Sequence, residues 1–190
     1  MRTLVLTIAL LPVSAMLLSQ GVFSNRTSAV LEKVIQDYPN RFRDIKGELI
    51  VENREAAEYK STLQLPGSSS CIVSRYTVAR NDEYSWTCTV RVSQDFGNAR
   101  NTFREIFDQI KNTVIRIDGD KHFILNGKYE MPREDCKTTR ILFTLLPGMN
   151  DVKRLKIDLS LQSDKTGWKI LISVYDHEPY GEGQVAITGN

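Results

Sequence analysis

Three cysteines are the side chains in this sequence with the clearest capacity for chemistry. Cys71 and Cys88 lie in two neighbouring strand-like segments, and Cys136 follows later in the chain. We predict a Cys71–Cys88 disulfide, because thiols in an oxidising compartment tend to pair. Two alternatives stay open: Cys136 bonds one of the other two, or all three thiols are free. If Cys71 and Cys88 are bonded, Cys136 is left free or pairs between chains.

The position of a turn decides whether these two cysteines meet. A turn centred on Asn81-Asp82 places Cys71 opposite Val92, which prevents the bond. A turn near Ala79-Arg80 places Cys71 opposite Cys88, at a distance that a disulfide spans. Such a bond closes a loop of about 17 residues and contributes on the order of 3 kcal/mol to stability.

Nucleophilic catalysis by a cysteine is not predicted. A reactive thiolate needs a base that lowers its pKa, usually a histidine held by a third group. The chain has two histidines: His122 lies in a long connection, and His177 lies at the edge of a polar tail. The segment from Gly67 to Cys71 is therefore interpreted as an ordinary turn that enters a strand, and no catalytic residue is assigned.

Metal and phosphate sites are not predicted either. Two separated histidines without a Cys-x-x-Cys pair do not make a zinc site. Asp118-Gly119-Asp120 is similar to the start of a calcium loop but lacks the later ligands, so we interpret it as a solvated turn. The sequence has no glycine pattern of a phosphate-binding loop, and no cofactor is expected.

An apolar stretch near the N-terminus determines the expected compartment. Leu4 to Leu18 carries no charge, follows Arg2, and precedes small or polar residues. This order is typical of a secretory signal peptide, which predicts export to the periplasm or the extracellular space. Cleavage is expected after Gly21, with Ala15 as the other candidate. If cleavage fails, the segment from Leu4 to Phe23 is just long enough to anchor the chain in a membrane.

The rest of the chain has balanced charge and suits one domain. Residues 22–178 are predicted as a single domain and residues 179–190 as a flexible tail. The chain has 25 Lys and Arg against 23 Asp and Glu, without a long run of one sign. Arg41, Arg43 and Lys46 cluster, with Asp44 among them. A nucleic-acid partner is therefore not expected, and contact with a membrane is expected only through the N-terminal segment.

Apolar periodicity predicts two helices and six strands. Val30, Leu31, Val34, Ile35 and Tyr38 recur at helical spacing, and a second helix begins near residues 95–98 and ends near residue 114. Alternation of apolar and polar residues marks the strands. A short extended segment at residues 48–52 and a hairpin around Asn126-Gly127 are open additions. The predicted strands cover residues 59–65, 71–79, 84–92, 139–145, 155–161 and 168–174.

These elements predict an α+β fold in the order helix, three strands, helix, three strands. A single antiparallel sheet with both helices packed on its dry face would bury every apolar stripe. The outer face, around Arg154, Lys156 and Asp158, would then be polar.

Three segments resemble small exported bacterial proteins that have no assigned activity: LPGSSSC (65–71), EYSWTCTV (83–90) and GWKILISVYD (167–176). The element order is also similar to the α+β sandwiches of some secretion chaperones and of an extrinsic photosystem subunit. These resemblances imply a fold and no catalytic residue, since one fold hosts many functions.

Together these features lead us to expect a non-enzymatic exported domain. Its predicted role is protein or peptide binding, self-association included, or a structural role in the cell envelope. The candidate surfaces are the polar outer face around Arg154, Lys156 and Asp158, the long connection at residues 115–133, and an open sheet edge. The alternative is a hydrolase-type enzyme whose residues converge only in three dimensions.

Overall fold

The computed structural model describes residues 26–78, 81–117, 121–148 and 155–175. Several features interpreted above lie outside these ranges. They are the predicted leader, the turn Asp118-Gly119-Asp120, the outer-face residue Arg154, His177 and the predicted tail.

Two helices and nine strands make up the described chain. Helix α1 ends in a short 3₁₀ turn at Tyr38–Asn40, which leads into the first strand. The helices are α1 (Arg26–Asp37) and α2 (Phe96–Ile110), and the strands are β1 (Lys46–Glu52), β2 (Ala56–Ser61), β3 (Ser70–Val78), β4 (Asn81–Ser93), β5 (Val114–Ile117), β6 (Lys121–Gly127), β7 (Thr138–Leu146), β8 (Lys156–Asp164) and β9 (Gly167–Tyr175).

All nine strands belong to one antiparallel sheet, in the spatial order β1-β2-β3-β4-β9-β8-β7-β6-β5. The predicted order of helix, three strands, helix, three strands was wrong: four strands follow α1 and five follow α2. The two helices also pack against different strands of the sheet. Helix α2 packs over β4, β8 and β9, whereas α1 lies against β5 at one end of the sheet. The sheet therefore dominates the fold more than the sequence indicated.

One added strand pair follows α2, at a different place from the predicted hairpin. Strands β5 and β6 pair with each other in antiparallel register, with Ile115 opposite Phe123. Asn126-Gly127 instead ends β6 and pairs with β7. A Cβ atom built on Gly127 would lie 2.7 Å from a ring carbon of Phe143. Gly127 is therefore required because it packs closely on an aromatic ring. In the sequence, the Asn126-Gly127 pair looked like a turn for a different reason.

The core lies between the central strands and α2. On α2 the predicted apolar stripe, which includes Phe103 and Phe107, is buried. The helix begins at an N-cap, Asp95, whose carboxylate accepts a hydrogen bond of 2.6 Å from the backbone N–H of Asn98. The large side chains that are almost fully buried include Trp86, Tyr175, Phe42, Phe103, Phe123, Leu31, Ile35, Ile110, Ile115, Leu125, Ile157 and Leu159.

Strands β3 and β4 carry the disulfide between Cys71 and Cys88. The two residues are direct cross-strand partners, so the register is the one that places Cys71 opposite Cys88 and not opposite Val92. Both sulfur-bearing side chains are buried in the core. Cys136 is the free cysteine of the described chain and is half-buried.

The turn between β8 and β9 is held by Asp164. Its carboxylate forms an ion pair with Lys169 and accepts hydrogen bonds of 2.6 Å from the backbone N–H and the hydroxyl of Thr166. These contacts, with the Lys169 hydrogen bond the largest, lower the pKa of Asp164 to about 2. Its folded pKa lies below the usual aspartate value of about 3.9, so its stabilising effect is complete above about pH 4.

We expect the Asp164 carboxyl to titrate with a midpoint near pH 2, and its stabilising effect to be lost as the pH falls from about 4 to 2. Lys169→Gln removes the largest cause and should raise the midpoint toward the usual value. The measurement is ¹³C NMR of the carboxyl carbon against pH. Lys165→Gln, a charge loss in the same turn, is the control and should leave the midpoint unchanged. Equal shifts in both variants would contradict the assignment.

Candidate functional site

The two ends of the sheet differ in how their outer backbone groups are covered. At the β5 end, α1 lies along the strand and bonds its free edge. The backbone N–H of Arg116 donates to the Glu32 carboxylate at 3.0 Å, and the Gln36 side-chain amide donates to the Arg116 carbonyl at 2.8 Å. Unpaired edge groups are a template for adding another strand. Helix α1 therefore closes the β5 edge.

The β1 end is open. Within the described part of the chain, β1 pairs with β2 on one side and with no strand on the other. Every residue of β1 except Gly47 is exposed, which includes three consecutive apolar side chains: Leu49 is 48%, Ile50 56% and Val51 48% exposed. Exposed apolar residues in a row on an open edge are typical of a surface that pairs with another chain.

Charges and irregular pairing limit indiscriminate association at this edge. Strand β1 carries Lys46, Glu48 and Glu52, and its register with β2 shifts twice. Such charges and bulges are devices by which native edges avoid aggregation. The carboxylate of Glu52 is also held by Arg75 of β3 at 3.1 Å. These features limit unspecific strand pairing at β1.

A basic cleft lies at the start of β1, in the loop that joins it to α1. The buried carboxylate of Asp37 shapes this loop. It accepts hydrogen bonds from the Asn40 side-chain amide at 3.1 Å and from the backbone N–H groups of Asp44 and Ile45 at 3.1 and 3.2 Å. Phe42 is fully buried and anchors the loop in the core. The loop is thus fixed from inside by one acid and one aromatic ring.

Two consecutive residues of the loop have left-handed backbone conformations, which are uncommon outside glycine. Arg41 has φ of 59° and Phe42 has φ of 56°. Such strain costs about 1–3 kcal/mol per residue and tends to occur at functional sites. Here it turns Phe42 into the core while Arg41 and Arg43 on either side stay exposed.

The cleft has a cavity of about 310 Å³, which is near the lower limit for ligand pockets. Two of its cations lie against aromatic rings: the Arg41 guanidinium is 5.7 Å from the centroid of Tyr84, and the Lys46 ammonium is 4.5 Å from that of Tyr59. In the described ranges, none of its three cations forms an ion pair. The lining residues are Pro39, Asn40, Arg41, Arg43, Lys46 and Tyr84.

A larger groove of about 700 Å³ lies between α2 and β4. Arg91 and Glu105 are its two charged lining residues; the others are polar, apolar or glycine. Its position beside the predicted Gly67–Cys71 turn brings no histidine to the buried, disulfide-bonded Cys71. With its sulfur in the disulfide, Cys71 has no thiol that could act as a nucleophile.

A buried polar cluster lies on the outer face of the sheet, where the sequence predicted a solvated surface. Asp158 is buried and accepts hydrogen bonds from Arg140 Nε at 2.6 Å and from the Tyr175 hydroxyl at 3.0 Å. Arg140 also donates to the Tyr175 hydroxyl. A carboxylate bonded in this way links β7, β8 and β9, so we interpret the cluster as structural.

The remaining residues considered from the sequence do not converge. His122 is exposed on β6, and Cys136 Sγ lies 3.7 Å from an oxygen of the exposed Asp135. Among the described residues, no group of three His, Cys, Asp or Glu side chains is placed to hold a metal ion. None of the described helices is long and apolar enough to cross a membrane.

An open sheet edge was expected from the sequence as a binding surface, but that edge was not assigned to β1, and no site was assigned to the basic cluster. The cluster of Arg41, Arg43 and Lys46 was recognised in the sequence. It was not interpreted as a binding site, because the positive and negative charges of the whole chain nearly balance. Strand β1 was considered only as a short extended segment. The signal for the cleft was three cations within six residues next to Pro39-Asn40.

No protein-family model, no curated protein and no solved structure matches this chain.

Proposed function

We propose that this chain is an exported, non-enzymatic domain that binds an extended segment of another protein, or a peptide, along β1. The segment adds to the sheet as a further strand and bonds through its main chain, while Leu49, Ile50 and Val51 contact its side chains. Export is supported by the Cys71–Cys88 disulfide, since such bonds persist in oxidising compartments.

The observation that carries this proposal is the contrast between the two sheet edges. Helix α1 bonds the backbone of Arg116 on β5 with two side chains, so the fold has a way of closing an edge. The β1 edge lacks such cover within the described ranges and has three exposed apolar residues. Since the fold closes the edge at β5 and leaves the edge at β1 open, binding of a partner strand is favoured at β1.

The test is a selection of displayed random peptides on the purified wild-type protein, followed by affinity measurement of the enriched peptides by fluorescence anisotropy. Ile50→Lys places a charge in the middle of the edge and should weaken binding about tenfold or more, equivalent to about 1.4 kcal/mol. The substitution is exposed, so folding should be preserved, and a circular dichroism melt checks this.

Val114→Lys is the matched control. Val114 is 50% exposed, apolar and on an edge strand, but that edge is covered by α1. The Val114→Lys variant should bind the enriched peptides with the affinity of the wild type. Absence of any enriched peptide, or equal losses in both variants, would contradict the proposal. Concentration-dependent dimers in sedimentation that Ile50→Lys abolishes would assign the edge to a second copy of the chain and would also overturn it.

A further inference from the structure

We propose that the basic cleft at the start of β1 binds a carboxylate of the segment that adds to this strand. This inference rests on the proposed function and specifies the chemistry of the partner. It begins with the charge of the cleft. Arg41, Arg43 and Lys46 line one cavity, and none of them is paired with a carboxylate within the described ranges.

Among the described residues, no acid near the cleft forms an ion pair with its cations; the buried Asp37 carboxylate is bonded instead to the Asn40 amide and to two backbone N–H groups. Asp44, Glu48 and Glu83 are neighbours in sequence of the lining residues, but none of the three lines the cavity. Arg75, which is opposite Tyr84 in register, is already paired with Glu52 at 3.1 Å. Like charges around one cavity repel each other unless an anion enters, so the cleft favours an anionic group.

The loop is prepared for such a ligand before it binds. Asp37 fixes three points of the loop by hydrogen bonds, and Phe42 is anchored in the core. The ring of Tyr84 supports Arg41, and that of Tyr59 supports Lys46. Guanidinium groups bond carboxylates with two parallel N–H groups. A preorganised set of donors therefore needs little further ordering when the carboxylate arrives.

The direction of β1 determines which end of a partner reaches the cleft. Strand β1 runs from Lys46 to Glu52, and every pairing in the sheet is antiparallel. A segment added in the same manner runs from Glu52 toward Lys46, so its C-terminal end arrives at Lys46, the residue of β1 that lines the cleft. A parallel segment would bring its N-terminal side there, where a free ammonium group would be repelled. The carboxylate is thus a free C-terminus or an acidic side chain near the end of the segment.

Two arms test the cleft, and the first needs no peptide. Sodium acetate is titrated at low and constant ionic strength into ¹⁵N-labelled protein, and amide shifts are followed by NMR. Saturating shifts should be confined to residues 39–46 and the neighbourhood of Tyr84. Arg43→Gln should weaken acetate binding about tenfold, as expected for one lost charged hydrogen-bond partner. Lys46→Gln is the second variant, and it keeps the test valid if the first does not fold.

Arg54→Gln is the matched control for charge. Arg54 is exposed in the turn after β1, so the variant loses the same group outside the cleft. It should retain the wild-type acetate response. Equal weakening in Arg54→Gln and Arg43→Gln, or shifts spread over the whole surface, would overturn the cleft as a site.

The second arm uses the peptides enriched on the wild-type protein. Each is made as the free acid, as the C-terminal amide, and with its terminal acidic side chain replaced by the corresponding amide. One of the two neutralised forms should bind the wild type about tenfold more weakly than the free acid, and should bind Arg43→Gln almost as the free acid does. Which form loses affinity shows whether the carboxylate is the C-terminus or a side chain. Equal affinity of all three forms for the wild type would overturn the inference. Weaker binding to Ile50→Lys would still support addition at β1, so the two failures are distinguishable.

Discussion

Replacing Trp86 with alanine is expected to lower the free energy of unfolding by about 3–5 kcal/mol. Trp86 is fully buried on β4, opposite Val73 of β3 and Val174 of β9. Its indole N–H donates to the hydroxyl of Ser61 at 3.0 Å. Alanine leaves a cavity in the middle of the sheet and removes this donor, and both effects destabilise the fold.

Urea denaturation followed by far-ultraviolet circular dichroism measures the loss. Trp86→Phe is the graded comparison: it also removes the N–H donor but keeps one aromatic ring, so it leaves a smaller cavity. It should cost clearly less than the alanine variant. A loss below about 1.5 kcal/mol in Trp86→Ala would mean that the indole is not a central part of the core.

The well-predicted strands are those with one buried face. On β4, Tyr84, Trp86 and Cys88 alternate with polar residues, and the structure contains this strand, although it extends over Asn81–Ser93. The three strands of the last third were also placed correctly, at Thr138–Leu146, Lys156–Asp164 and Gly167–Tyr175. Alternation predicts a strand because successive side chains point to opposite faces.

The strand count was also wrong, and one of the strands beyond the predicted six, β1, lacks this alternation. Residues of β1 are exposed on both faces, so Leu49, Ile50 and Val51 follow one another without a polar residue between them. Strand β2 ends earlier than predicted, at Ser61, whose hydroxyl donates to the Leu63 carbonyl at 2.8 Å. These features depend on partners elsewhere in the fold, and periodicity within one segment does not contain them.

The candidate site was even less accessible to prediction. Its three cations are close in sequence, but Tyr84 comes from a strand about 40 residues later. The left-handed conformations of Arg41 and Phe42 occur in residues that rarely adopt them, so no glycine marks the turn. Whether an edge is open depends on the order of strands in the sheet. That order places β1 at one end and β5 at the other, where α1 packs.

Reduction of the Cys71–Cys88 bond is expected to lower the free energy of unfolding by about 3 kcal/mol. The two residues are 17 positions apart, so the bond restricts a loop of that size in the unfolded chain. For a domain of this length the change corresponds to a melting temperature lower by roughly 6–12 °C. Thermal and urea unfolding with and without dithiothreitol measures it, and Cys71→Ala/Cys88→Ala gives a second estimate.

Cys136→Ser is the control for the reductant. Cys136 is free and outside the buried core, so its loss should change stability little, and the variant should respond to dithiothreitol as the wild type does. Equal stability of the wild type in both conditions would contradict a stabilising role for the bond. If this loss of stability is measured, the compartment matters for the protein. In a reducing compartment the chain would lack the stabilisation by the disulfide, whereas in an oxidising one it would keep it. The stability of the β3–β4 hairpin, which supports β2 and thus the open edge at β1, would then depend on the compartment in which the chain folds.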